Sequence, residues 1–199
     1  MGVIIGISGK LNSGKNTFEK ILREKLATKT KEQTDTYAFA DPIKRIAMIM
    51  YPQIVQEDLW GPSENRNKII EGHIHPETGE PLKIRDILTI IGGIGRKTNK
   101  NIWVNATITE LRKYSSNNNV ILSDVRFIEE LKAIEAIGGR IIKIVRPGVK
   151  NTSTDESEIN LDGFTDFYMT IENNILEDLN ISADLLINKI SMHNEVSNY

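Results

Sequence analysis

Cysteine is absent from the 199 residues, which excludes disulfides, thiolate nucleophiles and zinc–thiolate centres. Aromatic residues are scarce at 6%, and there are six prolines. Neither sign of charge dominates. The 25 Lys and Arg against 27 Asp and Glu leave a formal net charge of −2, with no global basic field to hold nucleic acid. No apolar run approaches the roughly 20 residues of a membrane span. The apolar run at the amino end is short, lacks preceding basic residues and leads straight into a glycine loop, so it reads as a strand. The expectation is a cytoplasmic chain with no membrane and no nucleic-acid partner, folded as one domain over 1–199.

What is present alternates between two periods. Val3-Ile4-Ile5-Gly6-Ile7 is a nearly continuous apolar run, the pattern of a strand covered on both faces. Phe18, Ile21, Leu22 and Leu26 then recur at helical spacing. Tyr37–Ala40 reads as a strand, and Ile43, Ile46, Ala47 and Met50 as one helical face with Pro42 in its first turn. The stretch 51–83 holds four of the six prolines and several glycine turns, and reads as a flap or insertion. Ile84, Ile87, Leu88 and Ile91 predict a helix stopped by Gly92-Gly93, and Trp103, Thr107 and Leu111 another. Val120–Asp124 is a buried strand ending in an acid, followed by a helix through Leu131 and Ile134 and a strand over 140–145. Residues 147–166 are polar and read as a lid loop, and Asp184–Ile187 as a last short strand. Strands alternating with helices imply an α/β three-layer sandwich: five mainly parallel strands with helices on both faces.

The first strand and helix are joined by Gly-x-x-x-x-Gly-Lys, from Gly9 to Lys15. Such a loop turns successive backbone N–H groups inward at a helix amino end, which is what a phosphate needs. Lys15 can reach the β- and γ-phosphates as a mobile point charge. The next position, where a hydroxyl ordinarily holds magnesium, is Asn16, with Thr17 after it. A carboxamide oxygen can ligate magnesium, and Asp124, at the carboxyl end of a buried strand, is a second candidate. Arg126 can grip phosphate bidentately. Asp41 and Lys44 follow the second strand, although Asp41 ahead of Pro42 is also a natural helix cap. Arg66, Arg85 and Arg96 sit near turns and helix ends, with Trp60 and Trp103 nearby; arginine grips phosphate, and an aromatic ring stacks on a base. The alternative for each is a solvated arginine or a core tryptophan. His73 and His75 alternate in "HIH" and could meet a metal, but no third ligand is evident.

In order, "GKLNSGKNT", "FADPIK", "LWGPSENRNK", "ILTIIGGIGR…IW", "LSDVRFIEE" and "IVRP…ESE" resemble the deoxynucleoside monophosphate kinases of tailed bacteriophages, from Met1 to about Glu158. The resemblance implies a P-loop kinase fold and transfer of the ATP γ-phosphoryl group to a deoxynucleoside monophosphate, with magnesium. If the source is viral, the site of action is the cytoplasm of an infected cell. P-loop kinases of this size are often homodimers. ATP would be cradled by Gly9, Asn12, Ser13, Gly14, Lys15, Asn16 and Thr17, with Asn16 and Asp124 at the metal. Lys15, Asp124, Arg126 and Arg146 would serve the transfer. The acceptor would be met by Lys10, Phe39, Asp41, Lys44, Arg66, Arg96, Trp103, Arg126 and Glu130. The segment after "IVRP" departs from relatives in lacking a histidine among Thr152–Glu158. Kinases of other phosphorylated metabolites, of the phosphomevalonate or dephospho-coenzyme A type, share the pattern, and a nucleotide-dependent switch is the alternative from another class.

Overall fold

The computed structural model describes residues 2–113, 118–149 and 156–196, with side chains to Met192. The chain divides into two compact units: residues 1–38 with 110–199, and residues 39–109.

The first unit is built on β1 (Ile4–Gly9), α1 (Lys15–Thr30) and β2 (Thr34–Ala38). After the second unit the chain returns as β5 (Asn119–Val125), α6 (Ile128–Ala136), β6 (Arg140–Val145), α7 (Glu156–Ile159), β7 (Met169–Glu172) and α8 (Leu176–Val196). The sheet order is β2-β5-β1-β6-β7, and every pairing is parallel. Alternation sorts the faces. Ile5, Ile7, Ile121, Ile142, Ile144 and Ile171 pack with Phe18, Leu22 and Leu26 of α1 and with Leu179, Ala183, Leu186 and Ile190 of α8. On the opposite face, a Cβ at Gly6 would stand 2.8 Å from Ile134 of α6, so that helix lies almost against the strand backbone. The result is the expected three-layer α/β sandwich. With β1 central, the glycine loop leaves the carboxyl end of the middle strand, where open parallel sheets present their ligands.

Two elements of this unit differ from expectation. Asp184–Ile187 is not a strand but part of α8. Leu179, Ala183, Leu186, Ile187 and Ile190 are buried at spacings of four, three, one and three, a helical stripe that a four-residue window cannot display. The fifth strand is instead β7, whose buried Ile171 is flanked by exposed Thr170 and Glu172. Within the expected lid, α7 forms a single turn; Lys150–Asp155 lie outside the described residues, as does the tail end at Ser197–Tyr199.

The second unit contains α2 (Asp41–Met50), α3 (Gln56–Trp60), a 3-10 turn (Ser63–Asn67), the antiparallel hairpin β3 (Ile69–Ile74) and β4 (Pro81–Lys83), α4 (Ile84–Thr98) and the start of α5 (Ile102–Leu111). It has a core of its own, in which Ile43, Ala47, Ile54, Leu59, Ile70, Leu82, Ile84, Ile87 and Trp103 are buried together. The 51–83 stretch is therefore more than a flap: it contributes a hairpin and buried residues such as Ile54, Leu59 and Ile70 to that core. Phe39 and Ala40 lie beyond the end of β2, and Met50 is exposed rather than on the buried face of α2. The helix expected to stop at Gly92-Gly93 runs on to Thr98. The reason is Trp103: its indole lies where a Cβ on Gly95 would sit, 2.2 Å from Cζ2, and its Nε1 donates to the Gly92 carbonyl at 3.0 Å. The glycines let a large ring approach the helix backbone instead of ending it.

Candidate active site

Helix α1 begins with an uncapped amino end. Gly14, its N-cap, has φ 101°, no side chain caps it, and no acid occupies the first turn. Its free N–H groups and partial positive charge are left for an anion. The left-handed backbone at Gly14 suits glycine. A Cβ there would also meet the Asn173 amide nitrogen at 2.3 Å. Asn173 itself is buried just after β7 and donates to the Ser13 carbonyl at 2.8 Å. It holds the loop in place across 160 residues of sequence, and no local motif singles it out.

Lys15 is 8% exposed, and its ammonium donates to the carbonyls of Gly9 (2.7 Å) and Lys10 (2.9 Å). Its Nζ also lies 3.3 Å from Asp124 Oδ1. Burial lowers its pKa despite the carboxylate beside it. Asp124 stands in an irregularity of β5: Gly6 pairs with Leu122, but Ser8 pairs with Val125, so β5 carries one extra residue there. Asp124 takes φ 61°, a left-handed conformation that costs a non-glycine residue about 1–2 kcal/mol. The bulge re-aims the carboxylate toward the loop, and Arg126 Nε binds its other oxygen at 2.8 Å. Burial works to raise the Asp124 pKa, but the Arg126 guanidinium and Lys15 ammonium together hold it below the ordinary carboxylate value. Burial works to lower the pKa of Arg126 in turn, but Asp124 and Glu158 outweigh it and hold that pKa further up.

Helix α7 brings acids onto this group. Glu158 accepts from the Leu11 N–H at 3.2 Å and pairs with Arg126, while Lys10 donates to the Glu158 carbonyl and pairs with Asp162. Ser157 Oγ lies 3.4 Å from Arg126 Nη1. Both residues at the end of the departing "ESE" motif thus meet the loop or Arg126. Arg146 is exposed just past β6, and Asn16 and Thr17 are exposed in the first turn of α1. Glu130 has a different place: buried, it accepts from the N–H groups of Arg126 (2.8 Å) and Phe127 (3.1 Å), capping α6. Burial raises its pKa to about 7, against those two hydrogen bonds.

The oxygens present fit a magnesium ion brought with a nucleotide. Among the described residues, Asp124 Oδ1 has only the Lys15 ammonium, at 3.3 Å, beside it, and the buried Ser13 Oγ, within the loop, has no hydrogen-bond partner. A hard cation takes such oxygens. No group of three His, Asp or Glu gathers among the described residues, so most ligands would have to come from phosphate and water. His75 is instead a turn acceptor, its Nδ1 facing the N–H groups of Glu77 (3.2 Å) and Thr78 (3.3 Å).

In the second unit Asp41 is the first residue of α2 rather than its cap. Its Oδ1 accepts from Lys44 Nζ and from Trp60 Nε1, each at 2.9 Å. Arg66 donates to the Leu59 carbonyl at 3.0 Å, Arg96 is half-buried on α4, and Arg85 braces the 3-10 turn through Asn67 and Ser63. Phe39 (3% exposed) and Trp103 (7%) are core residues, so Trp103 presents no open face for a base. Trp60, at 39% exposed, is the accessible tryptophan.

No protein-family model matches the chain. It is 29% identical over 182 residues, covering 86% of this chain and 89% of the relative, to an Acanthamoeba polyphaga mimivirus protein provisionally named a deoxynucleotide monophosphate kinase. It is 34% identical over 96 residues to the uncharacterised ORF77 protein of Ictalurid herpesvirus 1 (strain Auburn), covering 44% of this chain and 42% of that one. The crystal structure of TT1252 from Thermus thermophilus superposes with a TM-score of 0.49 at 15% identity, covering 94% of this chain and 97% of that one. The chain is thus similar, over most of its length, to a viral protein that carries the name its own motifs suggest.

Proposed function

We propose that this protein is an ATP-dependent deoxynucleoside monophosphate kinase acting in the cytoplasm of an infected cell. The observation that carries the reading is the uncapped amino end of α1, with Lys15 buried beside it and Asp124 and Arg126 turned toward it by the β5 bulge. The name of the mimivirus relative supports the choice of acceptor.

In this reading the loop N–H groups and Lys15 hold the triphosphate tail, and Asn173 keeps the loop in shape. Asp124 and Asn16 would hold magnesium, which neutralises phosphate charge when bound with the nucleotide. An oxygen of the acceptor's 5′-phosphate attacks the γ-phosphorus, the bond from that phosphorus to the bridging oxygen breaks, and ADP leaves with the electron pair. The attacking oxygen is already ionised, so no general base is required. Catalysis then rests on alignment and on charge stabilisation by Lys15, Arg126 and Arg146. Lys10, Arg66 and Arg96 are the cations assigned to the acceptor, and no nucleic acid takes part.

A coupled ADP-release assay over dAMP, dCMP, dGMP and dTMP, with phosphomevalonate and dephospho-coenzyme A as rival acceptors, tests this directly. Turnover with at least one deoxynucleotide and none with the other two is expected. Lys15→Ala should cost on the order of 2–4 kcal/mol of transition-state stabilisation, by analogy with a lost electrostatic donor. Near-normal turnover in that variant would overturn the role of the loop.

A further inference from the structure

The second unit contains a polar cluster that the transfer chemistry does not use. Asp41 and Lys44 are only 9% and 8% exposed, so both charges are largely withdrawn from water. Such a pair is costly unless its hydrogen bonds are met, and it contributes little stability compared with an apolar pair. One carboxylate oxygen meets them in two directions: it accepts from Lys44 Nζ and from the indole Nε1 of Trp60, both at 2.9 Å. The Lys44 ammonium in turn lies 4.9 Å from the centroid of that indole. A hydrogen bond in the ring plane and a cation above the ring fix its orientation together.

A surface tryptophan that only covers apolar neighbours can leave its N–H to water. Here the N–H is tied to a buried charge while the ring stays 39% exposed. The backbone next to it carries a second fixed group. Arg66 Nη2 is bonded to the carbonyl of Leu59, the residue immediately before Trp60. A held aromatic face beside a held guanidinium matches the two ends of a nucleotide, a base that stacks and a phosphate that pairs. The other tryptophan is excluded from this task, since Trp103 is buried and its N–H is committed to Gly92.

We infer that Trp60 is the stacking platform for the nucleobase of the acceptor nucleotide, and that Asp41 and Lys44 are positioning residues that set the angle of its ring. The inference rests on the kinase reading above and deepens it. The acceptor is favoured over ATP because Trp60 adjoins the Leu59 carbonyl that holds Arg66, one of the cations the kinase reading assigns to the acceptor. Stacking is tolerant of base identity, so the platform alone predicts acceptance of more than one deoxynucleotide.

The test uses the full chain. Tryptophan fluorescence is titrated with each deoxynucleoside monophosphate and, separately, with ATP, in the wild type and in Trp60→Phe. Kinetics are measured in Trp60→Phe, Trp60→Ala and Asp41→Ala. Quenching by the monophosphates but not by ATP, lost in Trp60→Phe, is the expected result. Trp60→Ala should raise the KM for the acceptor roughly five- to a hundredfold. The ATP KM and kcat should stay within about twofold. Trp60→Phe, which still offers a ring, should restore most of that KM, and Asp41→Ala should raise it without altering the ATP KM. Quenching that persists in Trp60→Phe would assign it to Trp103 and overturn the inference, and so would quenching by ATP alone. If Trp60→Ala fails to fold, Trp60→Phe decides the point through its fluorescence. A wild type that phosphorylates no deoxynucleotide overturns this inference and the kinase reading together. Phosphorylation with a KM indifferent to Trp60 overturns this one alone.

Discussion

At the scale of single residues, the carboxylates of the first unit divide by environment. Asp124 sits against Lys15 and Arg126 and stays ionised, while Glu130, a few residues on, is buried at the head of α6 and bonded to backbone N–H groups. Its pKa is raised from 4.5 to about 7 by burial. A carboxyl with a raised folded-state pKa contributes stability that is full below its unfolded pKa and is lost as pH rises through the folded one. Glu130→Gln keeps an oxygen acceptor for the two N–H groups but cannot ionise. The variant should therefore match the wild type near pH 4, gain on it between about pH 4.5 and 7, and hold a constant advantage of a few kcal/mol above that. Thermal unfolding of both proteins at pH 5 and pH 8 checks it; a difference that does not change with pH would show that Glu130 is not buried in its neutral form. Lys15, Asp124 and Arg126 are legible in the sequence because each lies in a short motif at a strand end. Asn173 is not, since its partner Ser13 is 160 residues away. The capping place of Glu130 and the buried place of Trp103 are equally hidden, because exposure depends on what packs from elsewhere in the chain.

At the scale of elements, α4 shows how a glycine can mean opposite things two residues apart. A Cβ at Gly95 would stand 2.2 Å from the Trp103 ring, whereas a Cβ at Gly93 would meet nothing within 4 Å. Both positions are helical, so alanine gains up to about 1 kcal/mol of helix propensity at either one. At Gly93 that gain is unopposed, and Gly93→Ala should raise the melting temperature by a few degrees, about what 1 kcal/mol produces in a chain of this size. At Gly95 overpacking against the indole costs typically 1–3 kcal/mol, so Gly95→Ala should lower the melting temperature. Calorimetry on the two variants separates them by sign, and two shifts in the same direction would refute the packing account. The same contact explains why the sequence places the end of α4 too early: a pair of glycines is a stop signal only where nothing large must come close. The strand expected within α8 has a related cause. Asp-Leu-Leu-Ile is apolar enough for a strand over four residues, and its helical stripe emerges only over twelve, from Leu179 to Ile190.

At the scale of the whole molecule, the two units have separate cores, one around β1, α1 and α8 and one around α2, α4 and Trp103. Covered parallel strands read as continuous apolar runs, which makes β1, β5 and β6 of the first legible from the sequence, whereas β7 and α8 are not. The second unit is harder to foresee, since its core is drawn from short segments separated by proline and glycine turns. The proposed division of binding groups between units leads to a prediction about ligand binding. The proposed receptors for the triphosphate tail, the loop N–H groups and Lys15, all belong to the first unit. The proposed base platform, Trp60, and the neighbouring Arg66 belong to the second. Hydrogen exchange falls where binding suppresses local opening. Deuterium uptake followed by mass spectrometry should therefore slow in peptides covering Leu11–Phe18 when ATP with magnesium is added alone. It should slow in peptides covering Gln56–Asn67 when a deoxynucleoside monophosphate is added alone. Protection of Gln56–Asn67 by ATP alone would place the adenine, not the acceptor base, on Trp60. Protection of neither segment by either ligand would remove the loop and the tryptophan from nucleotide binding altogether.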